Sequence, residues 1–165
     1  MPSTKSNCRL VRRPAVNSWV LFFTTCPTAC FLQNKQVQLL HEEFASKGVK
    51  FVSMTCDPDR DSVPVLAEYA QQFRAGPDSW YFLTGDLLHL RRVAGEVYLM
   101  PLDKETHSEK LLVVDRWGKV RGQYHWKNTD EMAAIRLQLK KLLGETQPPP
   151  PPPPAPPAKP ADDDE

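Results

Sequence analysis

Apolar residues follow two alternating spacings through the middle of the chain. Short apolar runs of strand length predict buried strands over 19–25, 49–55 and 80–83. Apolar residues at helical spacing predict helices over about 27–46, 62–73 and 86–97. Gly48 is expected to end the first helix in a left-handed conformation, and Asp61 or Ser62 to cap the second.

The second half of the chain predicts a β-hairpin and a closing helix. Strands are expected over 110–115 and 119–124 around a turn at Trp117-Gly118, and an amphipathic helix over 130–143. The order β-α-β-α-β-α-β-β-α is typical of an α/β protein with a central mixed sheet flanked by helices. A βαβ half followed by a ββα half predicts a thioredoxin-like fold.

The two ends of the chain differ from this middle part. Residues 1–18 form a basic leader without an apolar pattern, whereas 145–165 form a proline-rich tail with an acidic end. Seven consecutive prolines (148–154) predict a disordered, extended polyproline II segment without a core. It is interpreted as a solvated spacer, with a polyproline-binding partner as the alternative. The predicted domain is therefore 19–144.

Composition and charge exclude several classes of protein. Hydrophobic residues make up 41% of the chain and charged residues 25%, within the range of globular domains. No apolar run reaches the roughly 18 residues of a spanning helix. Asn17 and Ser18 interrupt the stretch that would form a secretion signal, so the sequence predicts neither a span nor a signal. A net charge of +1 without a basic, aromatic-interleaved stripe argues against nucleic-acid binding.

Two of the four cysteines, Cys26 and Cys30, stand where the first strand leads into the first helix. On a helix, a spacing of four places both sulfurs on one face, and the helix N-terminus favours thiolate over thiol. Two adjacent thiolates form a soft site suited to Cu(I), or they oxidise to a disulfide. The spacing alone is equally consistent with two small buried side chains at a tight junction.

His107 is a candidate third ligand. It lies in a polar loop just before the strand at 111–115, and in a thioredoxin-like fold that loop packs beside the strand–helix junction. Two thiolates and one imidazole would form a three-coordinate soft site, although a loop histidine taken alone is more often a solvated surface residue. The remaining histidines are interpreted as structural: His41, His89 and His125.

Four motifs in order make the chain resemble the Sco/SenC family of copper chaperones, thioredoxin-like proteins. The motifs are F-F-T-T-C-P-T-A-C at 22–30, F-V-S running to D-P-D-R-D-S at 51–62, F-L-T-G-D at 82–86, and H-S before L-L-V-V-D at 107–115. The resemblance spans about 19–143. It implies a role in building the dinuclear copper centre of cytochrome c oxidase.

The resemblance also implies a site and a partner. The family's two metal-binding cysteines fall on Cys26 and Cys30, and its histidine ligand falls on His107. The implied function is a chaperone that binds a copper ion and delivers it to the copper-bearing subunit of cytochrome c oxidase, or prepares that subunit's cysteines. The implied location is the periplasm, at the outer face of the bacterial cytoplasmic membrane, or the mitochondrial intermembrane space.

The chain departs from the family pattern at several points. Phe31 stands where the family usually has proline after the second cysteine. Cys56 stands where an aliphatic or small residue is common and is interpreted as a bystander thiol, like Cys8 in the leader. The residues before Trp19 show neither the family's membrane anchor nor its N-terminal hairpin.

Two other functions would use the same cysteines. A thiol–disulfide oxidoreductase would need Cys26 to attack and Cys30 to resolve, but would not need His107. The C-P-T motif is also similar to that of peroxiredoxins, which have threonine three residues before the reactive cysteine. Phe23 occupies that position before Cys26, which argues against a peroxiredoxin. The chaperone needs Cys26, Cys30 and His107 together, and it is preferred because the sequence has all three. The oxidoreductase is kept as the alternative.

Overall fold

The computed structural model describes residues 15–104 and 108–150. They form strands and helices in the predicted order. The strands are β1 (Asn17–Phe22), β2 (Lys50–Thr55), β3 (Trp80–Leu83), β4 (Lys110–Val114) and β5 (Val120–His125). The α-helices are α1 (Ala29–Phe44), α2 (Val63–Gln71), α3 (Leu87–Arg92) and α4 (Thr129–Gly144).

The strands form one mixed sheet in the order β3-β2-β1-β4-β5. Strands β1, β2 and β3 are parallel, while β4 is antiparallel to both β1 and β5. The carboxyl ends of β1 and β2 therefore lie at one edge of the sheet, together with the start of β4. This mixed sheet with its flanking helices confirms the predicted α/β, thioredoxin-like fold.

The central strands form the core. All residues of 18–22 and 51–55 are buried, as expected for parallel strands in the middle of a covered sheet. The ring of Phe22 stacks on that of Tyr69 at a centroid distance of 5.3 Å and meets Phe82 edge-on at 5.6 Å. The cysteines follow β1 directly, so this packing holds the strand that leads into them.

The start of the domain differs from the prediction. Strand β1 begins at Asn17, inside the predicted leader 1–18, because Asn17 pairs with Lys50 of β2 and Val114 of β4. Backbone pairing on both sides extends the strand beyond its apolar run. The part of the leader over 1–14 lies outside the described residues.

At the C-terminal end of the domain, an ion-pair network joins the residue after α4 to the sheet. Glu145, which follows α4, lies 2.7 Å from Arg121 of β5. Arg121 also lies 3.0 Å from the buried carboxylate of Asp115. Residues 151–165, most of the predicted tail, lie outside the described residues.

The ends of two predicted helices show how local chemistry sets a boundary. A 3₁₀ turn over Ala45–Lys47 extends α1, and Gly48 ends it with a φ of 96°, as predicted. The single helix predicted over 86–97 is divided into α3 and a π-helical turn over Val93–Val97.

No helix within 15–104 or 108–150 is both long and apolar enough to cross a bilayer.

Candidate metal centre

Cys26 and Cys30 lie just beyond the carboxyl end of β1, where the chain turns into α1. Both are buried, with exposed fractions of 7% and 0%. The backbone N–H of Cys30 donates to the sulfur of Cys26 at an N···S distance of 3.2 Å. The structure thus brings the two candidate ligands to one point of the sheet edge.

The spacing predicts that both cysteines lie on one face of the helix, but only Cys30 lies on α1. Helix α1 begins at Ala29, two residues after the predicted start, so Cys26 lies in the preceding turn. Thr28 occupies the N-cap position without a side-chain capping bond. The sulfur of Cys26 instead accepts one of the N–H groups that a helix start leaves unpaired. The positive end of the helix dipole favours the negative charge of a metal-bound thiolate at this position.

Burial controls the chemistry of Cys30. Burial raises the pKa of its thiol well above the ordinary value, and the neighbouring Cys26 raises it further, while an N–H from Phe23 acts in the opposite direction. Burial of Cys30 thus opposes the thiolate that the helix N-terminus favours. A metal that binds this sulfur must displace its proton.

Cys56 directly follows β2, the strand beside β1, and is fully buried. Its N–H and its thiol both donate to the carbonyl of Phe22, at 2.8 and 3.3 Å. Within 15–104 and 108–150, no three His, Cys, Asp or Glu side chains are grouped so that they could hold a metal ion. Cys56 is therefore not arranged with Cys26 and Cys30 as a three-sulfur site.

His107, the third predicted ligand, lies outside the described residues. The described residues on both sides of it are held by contacts. Before it, the Nζ atom of Lys104 lies 2.6 Å from the carboxylate of Asp59, in the turn after β2. After it, the side-chain amide of Gln33 donates to the carbonyl of Ser108 at 2.6 Å. These contacts connect both flanks to the elements that carry or adjoin the cysteines.

Asp61 has a role that the sequence did not reveal. The sequence predicts Asp61 or Ser62 as the cap of α2, and Ser62 occupies that N-cap position, without a side-chain capping bond. The buried carboxylate of Asp61 accepts the N–H of Thr24 at 3.1 Å and the hydroxyls of Thr24 and Thr55. It thereby ties the turn that leads into Cys26 to the end of β2.

A buried polar network lies behind Cys30 and was also missed. The amide of Asn34 donates to the carbonyl of Cys30 at 3.1 Å, and its oxygen accepts the hydroxyl of Ser53 at 2.9 Å. The indole N–H of Trp80 donates to the same hydroxyl at 2.9 Å. Because buried polar groups must be paired, this network fixes the first turn of α1 against β2.

Phe31, which replaces the usual proline, joins α1 to the residues after α2. Its ring lies 5.3 Å from that of Phe73, and the ammonium group of Lys35 lies 5.4 Å from the Phe31 centroid. The side chain remains 37% exposed beside the cysteine pair. The departure from the family pattern thus adds an aromatic contact at the edge of the candidate site.

The other histidines have contacts of their own. The Nε2 atom of His41 lies 2.8 Å from the hydroxyl of Ser79, and that of His125 lies 2.8 Å from the carboxylate of Glu109. Burial lowers the pKa of His41. His89 is exposed on α3. Their interpretation as structural residues stays a prediction.

The fold and the buried cysteine pair at its strand–helix junction define a thioredoxin-like protein with a two-thiol site. The SCO1/SenC family model matches residues 14–143. The chain belongs to the SCO1/SenC family, which confirms the resemblance carried by its motifs. A comparison with curated protein sequences found no significant match.

Several of the similar solved structures come from the same family. A SCO1/SenC family lipoprotein from Bacillus anthracis is 27% identical, with a TM-score of 0.70 over 79% of this chain and 82% of that one. BsSco, described with a disulfide switch as a member of the Sco family of cytochrome c oxidase assembly proteins, is 22% identical, with a TM-score of 0.70 over 79% and 81%. Yeast Sco1 with copper bound is 23% identical, with a TM-score of 0.60 over 76% of each chain.

Proposed function

We propose that this protein is a copper chaperone that binds one copper ion through Cys26, Cys30 and His107. The observation that carries the proposal is the contact between the two buried cysteines at the start of α1. Two thiolates suit Cu(I), because soft ligands select this ion over harder metals. The copper bound to yeast Sco1, a member of the same family, supports copper as the metal.

The contacts around Ser108 support His107 as the third ligand. Gln33 follows Cys30 by three positions on α1, so the two side chains lie on the same side of the helix. The carbonyl that Gln33 binds belongs to Ser108, which is next to His107 in the chain. The backbone beside His107 is therefore attached to the helix side that carries Cys30.

The proposed recipient of the metal is the copper-bearing subunit of cytochrome c oxidase. The description of BsSco as a member of a family of cytochrome c oxidase assembly proteins supports this partner. The proposed location is the outer face of the cytoplasmic membrane, which is consistent with the lipoprotein from Bacillus anthracis.

A thiol–disulfide oxidoreductase is the second candidate, because the same contact that suits a metal also suits a disulfide between Cys26 and Cys30. The disulfide switch described for BsSco supports this chemistry. Only the chaperone needs His107, so this residue separates the two functions.

A Cu(I) titration of the reduced protein against a chromophoric chelator tests the proposal. We expect a one-to-one complex in which His107→Ala weakens binding by more than about tenfold, because a ligand is lost and outer-shell contacts alone typically change affinity by that much. His89→Ala, at an exposed position on α3, is the matched control and should bind as the original protein does.

The other outcomes assign the function differently. An affinity unchanged in His107→Ala contradicts the three-ligand site, and an absence of competitive binding contradicts the chaperone. Disulfide exchange that is lost in Cys30→Ser but retained in His107→Ala, without copper binding, supports the oxidoreductase.

A further inference from the structure

A group of basic side chains lies at the edge of the sheet opposite the cysteines. Asn17 of β1 pairs with Lys50 of β2 on one side and with Val114 of β4 on the other, so the starts of β1 and β2 and the end of β4 form one edge. The backbones of Lys50 and Val114 are two strand spacings apart, or about 10 Å. Four cations lie in or beside this edge, which we call the basic edge: Lys47, Lys50, Arg116 and Lys119.

The side chains of the basic edge make their contacts with neutral groups. The ammonium group of Lys47 lies 4.7 Å from the centroid of the Phe44 ring. Lys50 and Arg116 donate to backbone carbonyls, at 2.5 and 3.1 Å. Lys119 is exposed. Because rings and carbonyls carry no net charge, these contacts leave the positive charge of the edge in place.

The opposite edge, where the cysteines lie, is different in this respect. Lys104 pairs with Asp59, in the turn after β2. Lys127, which follows β5, pairs with Glu109, just before β4. The cations there are paired with carboxylates, so the two edges of the sheet differ in the positive charge that they present.

The turn between β4 and β5 adds an aromatic side chain to the basic edge. Trp117 is half-buried, and the guanidinium carbon of Arg116 lies 5.6 Å from the centroid of its ring. Gly118, with a φ of 81°, allows the chain to turn here. Tryptophan is enriched where a membrane meets water, and basic side chains are attracted to anionic lipids. The combination matches the chemistry of an anionic lipid surface.

We infer that the basic edge is a docking surface for an anionic phospholipid bilayer. Each basic side chain near such a surface strengthens binding about fivefold. Strand β1 is six residues long, so a domain docked by this edge holds Cys26 and Cys30 about 20 Å further from the lipid, facing away from it. The inference uses none of the copper ligands and goes beyond the proposed function.

Co-sedimentation of the full chain with lipid vesicles tests the inference. We expect the protein to bind vesicles of mixed phosphatidylglycerol and phosphatidylcholine, and not vesicles of phosphatidylcholine alone. Lys47→Gln combined with Lys119→Gln should weaken binding to the anionic vesicles about 25-fold, because two charges are lost from the edge. Added salt should release the original protein, since it screens exposed charges.

Lys110→Gln combined with Lys127→Gln is the matched control. It removes the same number of charges from the edge that carries the cysteines, where Lys110 begins β4 and Lys127 follows β5. Its binding to anionic vesicles should stay close to that of the original protein. Circular dichroism checks that both double variants are folded.

Three results would overturn the inference. Equal losses in the two double variants indicate attraction by net charge and not by one edge. Binding retained in both indicates that other basic residues, such as those within 1–14, contact the lipid. No preference for anionic vesicles excludes the bilayer and leaves an acidic protein segment as the ligand of the basic edge. Cu(I) binding is measured separately, so a failure of the proposed function and a failure of this inference are distinguishable.

Discussion

Replacing Cys30 by serine is expected to abolish tight Cu(I) binding while the domain stays folded. Serine is close to cysteine in size and its hydroxyl is able to accept the N–H of Phe23, but oxygen is a hard ligand that Cu(I) disfavours. The loss should exceed the roughly 100-fold change typical of an outer-shell contact. Chelator competition measures the affinity, and circular dichroism checks the fold.

Cys56→Ser is the matched control for this change. Cys56 is buried as completely as Cys30, and its thiol donates to the carbonyl of Phe22, a bond that a serine hydroxyl also makes. Its copper affinity should stay that of the original protein. If Cys56→Ser weakens binding as much as Cys30→Ser, the metal is held by three sulfurs and the proposed ligand set is wrong.

Asp61→Ala is expected to produce the largest loss of stability among changes at the site. The substitution leaves the N–H and the hydroxyl of half-buried Thr24, and the hydroxyl of buried Thr55, without their acceptor. Unpaired buried donors cost about 1–3 kcal/mol each, so we expect the free energy of unfolding to fall by about 3 kcal/mol. The midpoint of thermal unfolding should fall by about 10 °C.

Asp59→Ala is the control for this change, and thermal unfolding followed by circular dichroism is the measurement. The side chain of Asp59 is 70% exposed and pairs with the exposed ammonium group of Lys104, so its loss should leave the midpoint almost unchanged. Equal midpoints for Asp61→Ala and the original protein would show that the turn before Cys26 does not depend on this carboxylate.

The sequence predicts the fold well wherever the determining interactions are local. The apolar runs of β1 and β2 correspond to strands that are buried almost throughout. Gly48 ends α1 with the positive φ that glycine adopts readily. The family resemblance follows from motifs that are contiguous in the chain, and the family match confirms it.

The contacts of the site are less predictable, because they join residues that are distant in sequence. Asp61 has the sequence signature of a helix cap, yet it binds Thr24, which is 37 positions earlier. In the sequence, Gln33 differs in no visible way from the half-buried glutamines of α1, and only the fold brings Ser108 beside it. The available signal in the sequence is the spacing of three residues between Cys30 and Gln33. That spacing indicates a role at the site only when the contact with Ser108 is known.

X-ray absorption at the copper edge of the Cu(I)-loaded protein tests the central claim most directly. The account predicts a three-coordinate ion with two sulfur neighbours and one nitrogen neighbour, and the loss of the nitrogen in His107→Ala. A shell of three sulfurs, or of two sulfurs with no nitrogen in the original protein, would contradict the site formed by Cys26, Cys30 and His107.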